Sequence, residues 1–263
     1  MSESNRNEIP RIEEADRKGN RLRKMGVDWE DCDYVIALVG NPNTGKSTVF
    51  NDLTGLRQHT GNWPGKTVAR AMGAYEYEGK VYKVVDLPGT YSLLAISEDE
   101  EIARDFILFG QPDVTVIVMD ATCLERNLNL ALQVLEITEN AVIALNLVDE
   151  ARRHNLEIDH HKLSEILGVP VVPTAARYNK GIDDLILSIH KVATGQIICK
   201  PYRIQQVSLE LQKAVDLLVK EIESAYPQLP NIRWLAMQLL DGDKRIIQAF
   251  RDGEFQKLTK ENL

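Results

Sequence analysis

The 263-residue sequence contains only three cysteines, and their spacing excludes a disulfide scaffold. Cys32, Cys123 and Cys199 lie far apart and form no CxxC pair. We therefore expect free thiols in a reducing compartment. Cys123 follows the apolar strand-like run over residues 114–120, and it is expected to be buried as a small hydrophobic side chain.

Long apolar runs are also missing. The longest runs, over residues 35–39 and 114–119, have the length of strands, whereas a membrane-spanning helix needs about 20 apolar residues. The first ten residues, MSESNRNEIP, lack the apolar core of a signal peptide. The sequence therefore predicts that nothing in this chain crosses a bilayer.

An excess of basic charge is absent as well, because 31 Lys and Arg residues face 39 Asp and Glu residues, a net charge of −8. This balance argues against a whole-surface basic footprint for nucleic acid. A content of 44% hydrophobic and 27% charged residues is that of a globular protein and excludes a wholly disordered one. At about 150 residues per domain, the length predicts one or two domains.

Three regions of the sequence differ in composition and in the periodicity of their apolar residues. Residues 1–33 are polar and highly charged, which predicts a solvated tail or a short surface helix. Residues 34–195 alternate short β-branched runs with helix-like stretches, which predicts an α/β domain with a mostly parallel sheet flanked by helices. Within it, residues 67–77 and 81–86 are expected to pair as a hairpin. Residues 196–263 show only helical periodicity and predict a small all-helical accessory domain.

Residues 40–47, GNPNTGKS, carry the strongest chemical signal, because they match GxxxxGK[ST] between an apolar strand and a helix-like run. The glycines let backbone N–H groups turn toward phosphate oxygens, and the helix N-terminus adds a favourable dipole. Lys46 is expected to reach the β- and γ-phosphates, and Ser47 to offer its hydroxyl to Mg²⁺. The predicted phosphate-binding residues are Gly40, Asn43, Thr44, Gly45, Lys46, Ser47 and Thr48.

Three later segments, each at a strand end, indicate guanine. The Asp86 carboxylate is expected to hold Mg²⁺ through water, and the Gly89 N–H to sense the γ-phosphate. Residues 146–149, NLVD, resemble the Asn-Lys-x-Asp segment of GTPases. There the Asn146 position braces the loop, and the Asp149 position accepts hydrogen bonds from guanine N1–H and the exocyclic amine, a donor pair that adenine lacks. The next strand is followed by residues expected to place a backbone N–H on guanine O6, namely Thr174, Ala175 and Ala176.

These segments together resemble one family. They are separated by 46, 60 and 28 residues, intervals similar to those of a minimal small-GTPase domain. The runs GNPNTGKSTVFNDLTG, GNWPGKTVA, DLPGTYSL and SEDEEIARDFI resemble the N-terminal cytosolic region of the ferrous-iron transport protein B (FeoB) family. The resemblance covers residues 34–194 strongly and the helical region loosely. In that family a membrane region follows, so this chain is expected to be a soluble fragment that stops inside the helical domain.

The resemblance implies hydrolysis of GTP to GDP and phosphate at the cytoplasmic face of the bacterial inner membrane, coupled to an Fe(II) pore. Implied partners are guanine nucleotide, the membrane region of the same polypeptide, small accessory proteins of iron transport and a second copy of the chain, but not nucleic acid. Thr67 matches the switch I threonine that closes on Mg²⁺ and the γ-phosphate. Mg²⁺ is thus assigned to Ser47, Thr67 and Asp86.

Potassium is a further implied cofactor. In K⁺-activated GTPases similar to this sequence, an asparagine at the Asn43 position coordinates the ion against the phosphates, and the carbonyls of Gly61 and Trp63 would complete its shell. The implied catalytic residues are Asn43, Lys46, Thr67 and Gly89. Two interpretations of the Trp63 side chain stay open, an exposed functional group or a core residue.

Three positions depart from the GTPase pattern. Leu147 and Ala176 stand where lysine stems usually cover the base, so we expect guanine specificity with a loose grip and fast GDP release. Thr90 occupies the position of the water-orienting glutamine of Ras-like enzymes. Two other functions remain: a ribosome- or RNA-associated GTPase, and a nucleotide-gated binding module in which hydrolysis is incidental.

Overall fold

The computed structural model describes residues 19, 21–28, 31–55, 58–94, 97–203, 208–227, 229 and 231–257. They divide into two compact units, one ending at Tyr202 and the other beginning at Arg203. The first unit contains a sheet with helices, and the second contains helices.

A seven-stranded sheet organises the first unit. Its order is β2-β3-β4-β1-β5-β6-β7, and the strands from β4 to β7 in that order pair in parallel. This confirms the predicted mostly parallel sheet. The strands are β1 Tyr34–Gly40, β2 Gln58–Asn62, β3 Ala69–Tyr77, β4 Lys80–Asp86, β5 Val114–Asp120, β6 Ala141–Asn146 and β7 Val171–Pro173.

The predicted hairpin is present, since β3 and β4 pair antiparallel from Tyr77 and Lys80 onward. Glu78 and Gly79 at its turn both have positive φ, as a tight two-residue hairpin requires. Beyond β3 the structure differs from the expectation. Residues 56–70, the switch I segment, are rich in glycine and polar residues and are expected to form a loop, but within them residues 58–62 form the edge strand β2 against β3.

Among the described residues of the first unit, six named helices accompany the sheet: α1 Lys46–Thr54, α2 Glu98–Asp105, α3 Leu124–Ile137, α4 Val148–Arg153, α5 His160–Leu167 and α6 Ile182–Ala193. A capping box between Ser97 and Glu100 starts α2, which continues into a π-helical turn over Phe106–Gly110. Helical spacing of apolar residues over 46–55, 97–109, 127–138, 159–167 and 181–194 predicts five of these helices, whereas the short helix α4 is not predicted.

The core lies between the sheet and the helices α1 and α6. Side chains of the central strands, including Ile36, Val116 and Ala144, pack with Phe50 of α1 and Leu185 of α6. Full burial of one such aliphatic or aromatic side chain contributes about 1.5–3 kcal/mol. The core therefore fixes the strands whose ends carry the predicted motifs.

The N-terminal region departs from the expected solvated tail where it is described. Residues 21–24 form a helical turn, and Leu22 and Val27 are fully buried. The guanidinium of Arg70 donates to the Met25 carbonyl (3.3 Å), and Lys83 donates to the Asp28 carbonyl. Two buried apolar side chains and two side-chain-to-carbonyl hydrogen bonds thus hold residues 21–28 on the first unit, despite the charge of the segment. Residues 1–18 lie outside the described residues.

The first unit ends at Tyr202, later than the boundary predicted after residue 195. The N–H groups of Lys200 and Tyr202 donate to the carbonyls of Gly168 and Leu167, each at 2.9 Å. These bonds keep residues 196–202 with the sheet unit.

The second unit is helical, as predicted. It consists of α7 Leu209–Ala225, α8 Ile232–Asp241, α9 Lys244–Arg251 and a 3₁₀ turn, Glu254–Lys257. Its buried side chains include Val215, Leu235, Ile246 and Phe255. Among the residues that the structure describes, none of the helices of either unit combines the length and the apolar character needed to cross a membrane.

Candidate functional site

The four predicted segments meet at one edge of the sheet. Residues 40–47 follow β1, residues 86–89 follow β4, residues 146–149 follow β6, and residues 174–176 follow β7. Because these strands are parallel, their carboxyl ends share an edge, which is where open α/β sheets bind ligands.

The loop from β1 to α1 has the form of an anion cradle. Asn43 and Gly45 adopt positive φ angles of 66° and 79°, and Thr44 Oγ1 donates to the Asn41 carbonyl (2.9 Å) inside the loop. Gly45 caps α1 without a side-chain hydrogen bond to its first N–H groups. Those N–H groups and the helix dipole can therefore serve a phosphate. The side chains of Asn43 and Ser47 are exposed.

Lys46 and Asp86 form an ion pair at this loop. Burial raises the pKa of the Asp86 carboxyl above its ordinary value, and the nearby Lys46 ammonium opposes that rise. The pair brings a cation and a carboxylate to the place where phosphates and a divalent ion are predicted. The hydroxyl of Ser47 and the carboxylate of Asp86 are oxygen ligands of the kind that Mg²⁺ prefers.

The segment after β4 is tied to the first loop. The Thr90 N–H donates to the Gly40 carbonyl (3.3 Å), and a Cβ placed on Gly89 would lie 3.5 Å from Pro42. Thr90 is buried, and its hydroxyl donates to the Ser92 carbonyl (2.8 Å). The Thr90 hydroxyl thus stabilises its own turn, in agreement with its being a poor replacement for a water-orienting glutamine.

Asn146 joins the two ends of the site. Its amide nitrogen donates to the Thr44 carbonyl (3.0 Å). Its amide oxygen accepts from Thr174 Oγ1 (3.2 Å) and from the Ala176 N–H (3.1 Å). Asn146 and Thr174 are 1% and 0% exposed, so water does not compete for these bonds. The Asn146 amide thus links the loops after β1, β6 and β7, and its role in bracing the guanine site stays a prediction.

Gly45 lies directly against this asparagine. A Cβ at Gly45 would lie 2.4 Å from Asn146 Nδ2. This distance is too short for any side chain at this position. The positive φ of Gly45 is a second reason for glycine here.

The loop after β6 presents Asp149 beside an arginine. Leu147 adopts a positive φ of 62° and caps α4, which places Asp149 in the first turn. Arg153 Nη2 donates to Asp149 Oδ2 (2.7 Å). Arg153 is not among the residues predicted from the sequence. Its spacing of four residues from Asp149 is the signal that indicates an ion pair on a helix.

The N–H groups expected to contact guanine O6 are engaged inside the protein. The Ala175 N–H donates to the Lys180 carbonyl (3.0 Å), and the Ala176 N–H donates to Asn146 Oδ1. The assignment of the O6 donor therefore stays a prediction.

The predicted switch I residues lie elsewhere in this structure. Gly61 belongs to β2, three strands from β1, and at 4.7–4.9 Å per strand this separates them by about 14 Å. Thr67 is exposed, and the Trp63 carbonyl accepts the Lys66 N–H (3.0 Å). The structure thus brings together the residues of the four strand-end segments, but it does not bring Gly61 or Trp63 to the phosphate loop.

Trp63 is a packed side chain, which decides between the two interpretations of its position. It is 4% exposed, its ring meets Phe106 edge-on at 5.6 Å, and the Arg70 guanidinium lies 5.7 Å from the ring centroid. Next to it, Lys66 pairs with Glu101 (3.1 Å) and Glu98 (3.6 Å) of α2. Switch I is therefore docked on α2 and the turn that follows it.

The cysteine expectations have a mixed outcome. All three cysteines are free, as expected. Cys123 is exposed, so its predicted burial is wrong: it lies in a 3₁₀ turn, Ala121–Cys123, outside the strand.

The fold, the phosphate loop and the asparagine-linked loops define a P-loop domain of the G-domain type. A family model described as ferrous iron transport protein B matches residues 34–189. The Fe(2+) transporter FeoB of Escherichia coli (strain K12) is 42% identical over 212 residues, covering 79% of this chain and 27% of that protein. The chain belongs to the ferrous iron transport protein B family.

Solved structures agree with this membership. The cytosolic domain of the T. maritima FeoB iron transporter in GDP form I has a TM-score of 0.76 at 33% identity, covering 88% of this chain and 87% of that one. The GMPPNP form of the same domain has a TM-score of 0.74 at 33% identity, covering 88% of both chains. This chain spans about a quarter of the length of its curated relatives.

Proposed function

We propose that this chain binds GTP and GDP at the strand-end site and hydrolyses GTP to GDP and phosphate. The observation that carries the proposal is the Asn146 network, which joins the phosphate loop at Thr44 to the loops that present Asp149 and Ala176. A P-loop alone does not distinguish adenine from guanine, whereas the Asp149 carboxylate would do so as an acceptor for the N1–H and amine donors that adenine lacks. The GDP and GMPPNP forms of the T. maritima relative support the same ligand class.

The chain's own residues divide the work as follows. The N–H groups at the start of α1 and the Lys46 ammonium hold the phosphates, and the Gly89 N–H senses the γ-phosphate. Asp149 accepts from guanine N1–H and the exocyclic amine. Ser47 and Asp86 would hold Mg²⁺, which supplies neutralisation of the charge on the β- and γ-phosphates. Lys46 and Asp86, which pair with each other in this structure, would then engage the phosphates and Mg²⁺ respectively.

Thr67 and the K⁺ ligands belong to a second arrangement of switch I. Thr67 reaches the γ-phosphate only if switch I leaves its docked position on α2. The exposed amide of Asn43 already lies at the phosphate loop and fits one ligand of a monovalent cation. The carbonyls of Gly61 and Trp63 do not fit this role in the present arrangement, so their part depends on the same movement.

In the full-length protein, we place this domain at the cytoplasmic face of the bacterial inner membrane, where nucleotide state would act on the Fe(II) pathway of the membrane region. Small accessory proteins of iron transport and a second copy of the chain are further proposed partners. A pull-down of the membrane region in the presence of GDP and of GMPPNP tests this coupling.

The enzymatic proposal is tested by single-turnover hydrolysis of GTP in KCl and in NaCl at equal ionic strength, with GMPPNP affinity measured by calorimetry in both salts. We expect K⁺ to raise the rate about 10- to 100-fold, equivalent to ~1.4–3 kcal/mol of the barrier, and to raise GMPPNP affinity. Asn43→Ala should lose both effects, whereas Asn129→Ala, an exposed asparagine on α3, should keep them.

Absence of GTP turnover in either salt would contradict the enzymatic proposal and favour a binding module. Equal rates in KCl and NaCl would remove K⁺ from it, and stimulation that survives in Asn43→Ala would place the ion at other residues.

A further inference from the structure

Asp149 shares its carboxylate with a neighbour on the same helix. Arg153 Nη2 lies 2.7 Å from Asp149 Oδ2, and Arg153 Nε lies 3.4 Å from the Asp149 carbonyl oxygen. The two residues are four positions apart on α4, so their side chains lie on one face of the helix. One of the two carboxylate oxygens proposed to bind guanine is thus already occupied by a donor.

Arg153 and guanine present similar sets of hydrogen-bond donors. Guanine offers N1–H and an exocyclic amine side by side, and a guanidinium offers parallel N–H donors in a similar planar fork. A carboxylate oxygen engaged by a charged donor is a weaker acceptor for a neutral one. The arginine and the base therefore seek the same oxygen.

Arg153 also has a second partner within reach. Glu150 Oε1 lies 3.6 Å from Arg153 Nη2, and the Arg153 side chain is 61% exposed. An exposed arginine between two carboxylates can exchange one for the other at little cost, because surface ion pairs are weak. Displacement of Arg153 from Asp149 toward Glu150 is therefore compatible with nucleotide binding.

We propose that Arg153 is a specificity-determining residue that competes with the guanine exocyclic amine for Oδ2 of Asp149. This inference rests on the proposed function of the site. The competition weakens GDP binding. It also lowers the ratio of guanine affinity to hypoxanthine affinity, because hypoxanthine keeps N1–H but lacks the amine. If Arg153 instead held the Asp149 carboxylate in place for the base, Arg153 would strengthen GDP binding and increase the preference for guanine.

The test is calorimetry of the 263-residue chain with GDP and with inosine diphosphate. We expect Arg153→Gln to raise GDP affinity about two- to fivefold, the range of an exposed ion pair, and to raise inosine diphosphate affinity less. The ratio of the two affinities should therefore increase. Arg153→Lys, which keeps the charge but loses the fork, should fall between the wild type and Arg153→Gln.

Arg152→Gln is the matched control, because it removes the same charge from the neighbouring position of α4 without removing a hydrogen bond to Asp149 within the described residues. It should leave the ratio unchanged. Lower or unchanged GDP affinity in Arg153→Gln, or an equal shift for both nucleotides, would overturn the inference alone. Failure of the wild type to bind GDP would overturn the proposed function as well.

Discussion

The two sides of the sheet hold their parts of the site in different ways. Toward β7, Asn146 and Thr174 are buried and joined by hydrogen bonds that cross three loops. Toward β2, switch I is held on α2 by ion pairs of the partly exposed Lys66 and by the Trp63–Phe106 contact. The indole N–H of Trp63 is buried without a hydrogen-bond partner in the described part of the chain, whereas the amide of Asn146 is satisfied at both ends.

The side of the sheet toward β7 is the one proposed to recognise the base, and the side toward β2 is the one proposed to change its arrangement with the nucleotide. On the side toward β7, the Asn146 amide is buried and hydrogen-bonded through both its nitrogen and its oxygen, which favours a single arrangement of these loops. A segment held by surface ion pairs, with an unsatisfied buried donor that costs about 1–3 kcal/mol, is easier to exchange for another arrangement. The next three predictions are ways to test this contrast.

The largest effect is expected on the switching side. Thr67→Ala removes the hydroxyl proposed to reach Mg²⁺ and the γ-phosphate, and we expect GTP turnover to fall about 100-fold, as for loss of one transition-state ligand. GDP affinity should stay unchanged, because the proposed Thr67 contacts form only in the triphosphate state. Single-turnover hydrolysis and calorimetry measure the two quantities.

Thr60→Ala is the control for this prediction, since Thr60 is an exposed threonine of β2 in the same segment. If Thr60→Ala abolishes hydrolysis and Thr67→Ala does not, the assigned register of switch I is wrong.

The second effect concerns the recognition side. Asp149→Asn replaces an acceptor by a donor, so GDP affinity should fall at least tenfold, ~1.4 kcal/mol. Xanthosine diphosphate, which presents a carbonyl in place of the amine, should bind better than to the wild type. Calorimetry with both nucleotides is the measurement, and Asp183→Asn, an exposed carboxylate at the start of α6, should change neither. Unchanged GDP affinity in Asp149→Asn would show that residues 146–149 do not read the base.

The smallest effect probes how switch I is held. Lys66→Gln removes its ion pairs with Glu98 and Glu101, so switch I should leave α2 more easily and GTP turnover should rise about two- to fivefold. Lys80→Gln breaks an exposed pair with Asp33 and should have no such effect. A decrease of turnover in Lys66→Gln would mean that Lys66 acts in the closed arrangement instead.

The same contrast explains what could be predicted from the sequence. The strands, the hairpin and the four strand-end segments follow from local apolar periodicity and from motifs whose spacing has a chemical reason. Asn146 is assigned a bracing role through the resemblance of residues 146–149 to the Asn-Lys-x-Asp segment of GTPases, and the structure shows which loops its amide joins. The segment QHTGN of β2 has no apolar alternation, since an edge strand paired only with β3 needs little burial.

Other features depend on residues distant in the sequence. The burial of Trp63 requires Phe106, and the burial of Leu22 and Val27 in a charged segment requires the surface that the first unit provides. The composition and periodicity of a short segment cannot indicate contacts with residues that are distant in the sequence. The Asp149–Arg153 pair is different, because its helical spacing was readable once α4 is known to be a helix.

Gly45 has a consequence for how this site can vary through evolution. Phosphate binding already favours a glycine in this loop, but here the neighbour that excludes a Cβ is Asn146, 2.4 Å away. A substitution at either position disturbs the other, and through Asn146 it reaches Thr174 and Ala176. Under the proposed function, variation at position 45 of the phosphate loop is therefore coupled to the loops after β6 and β7, whereas Asp149 and Arg153 take no part in these hydrogen bonds.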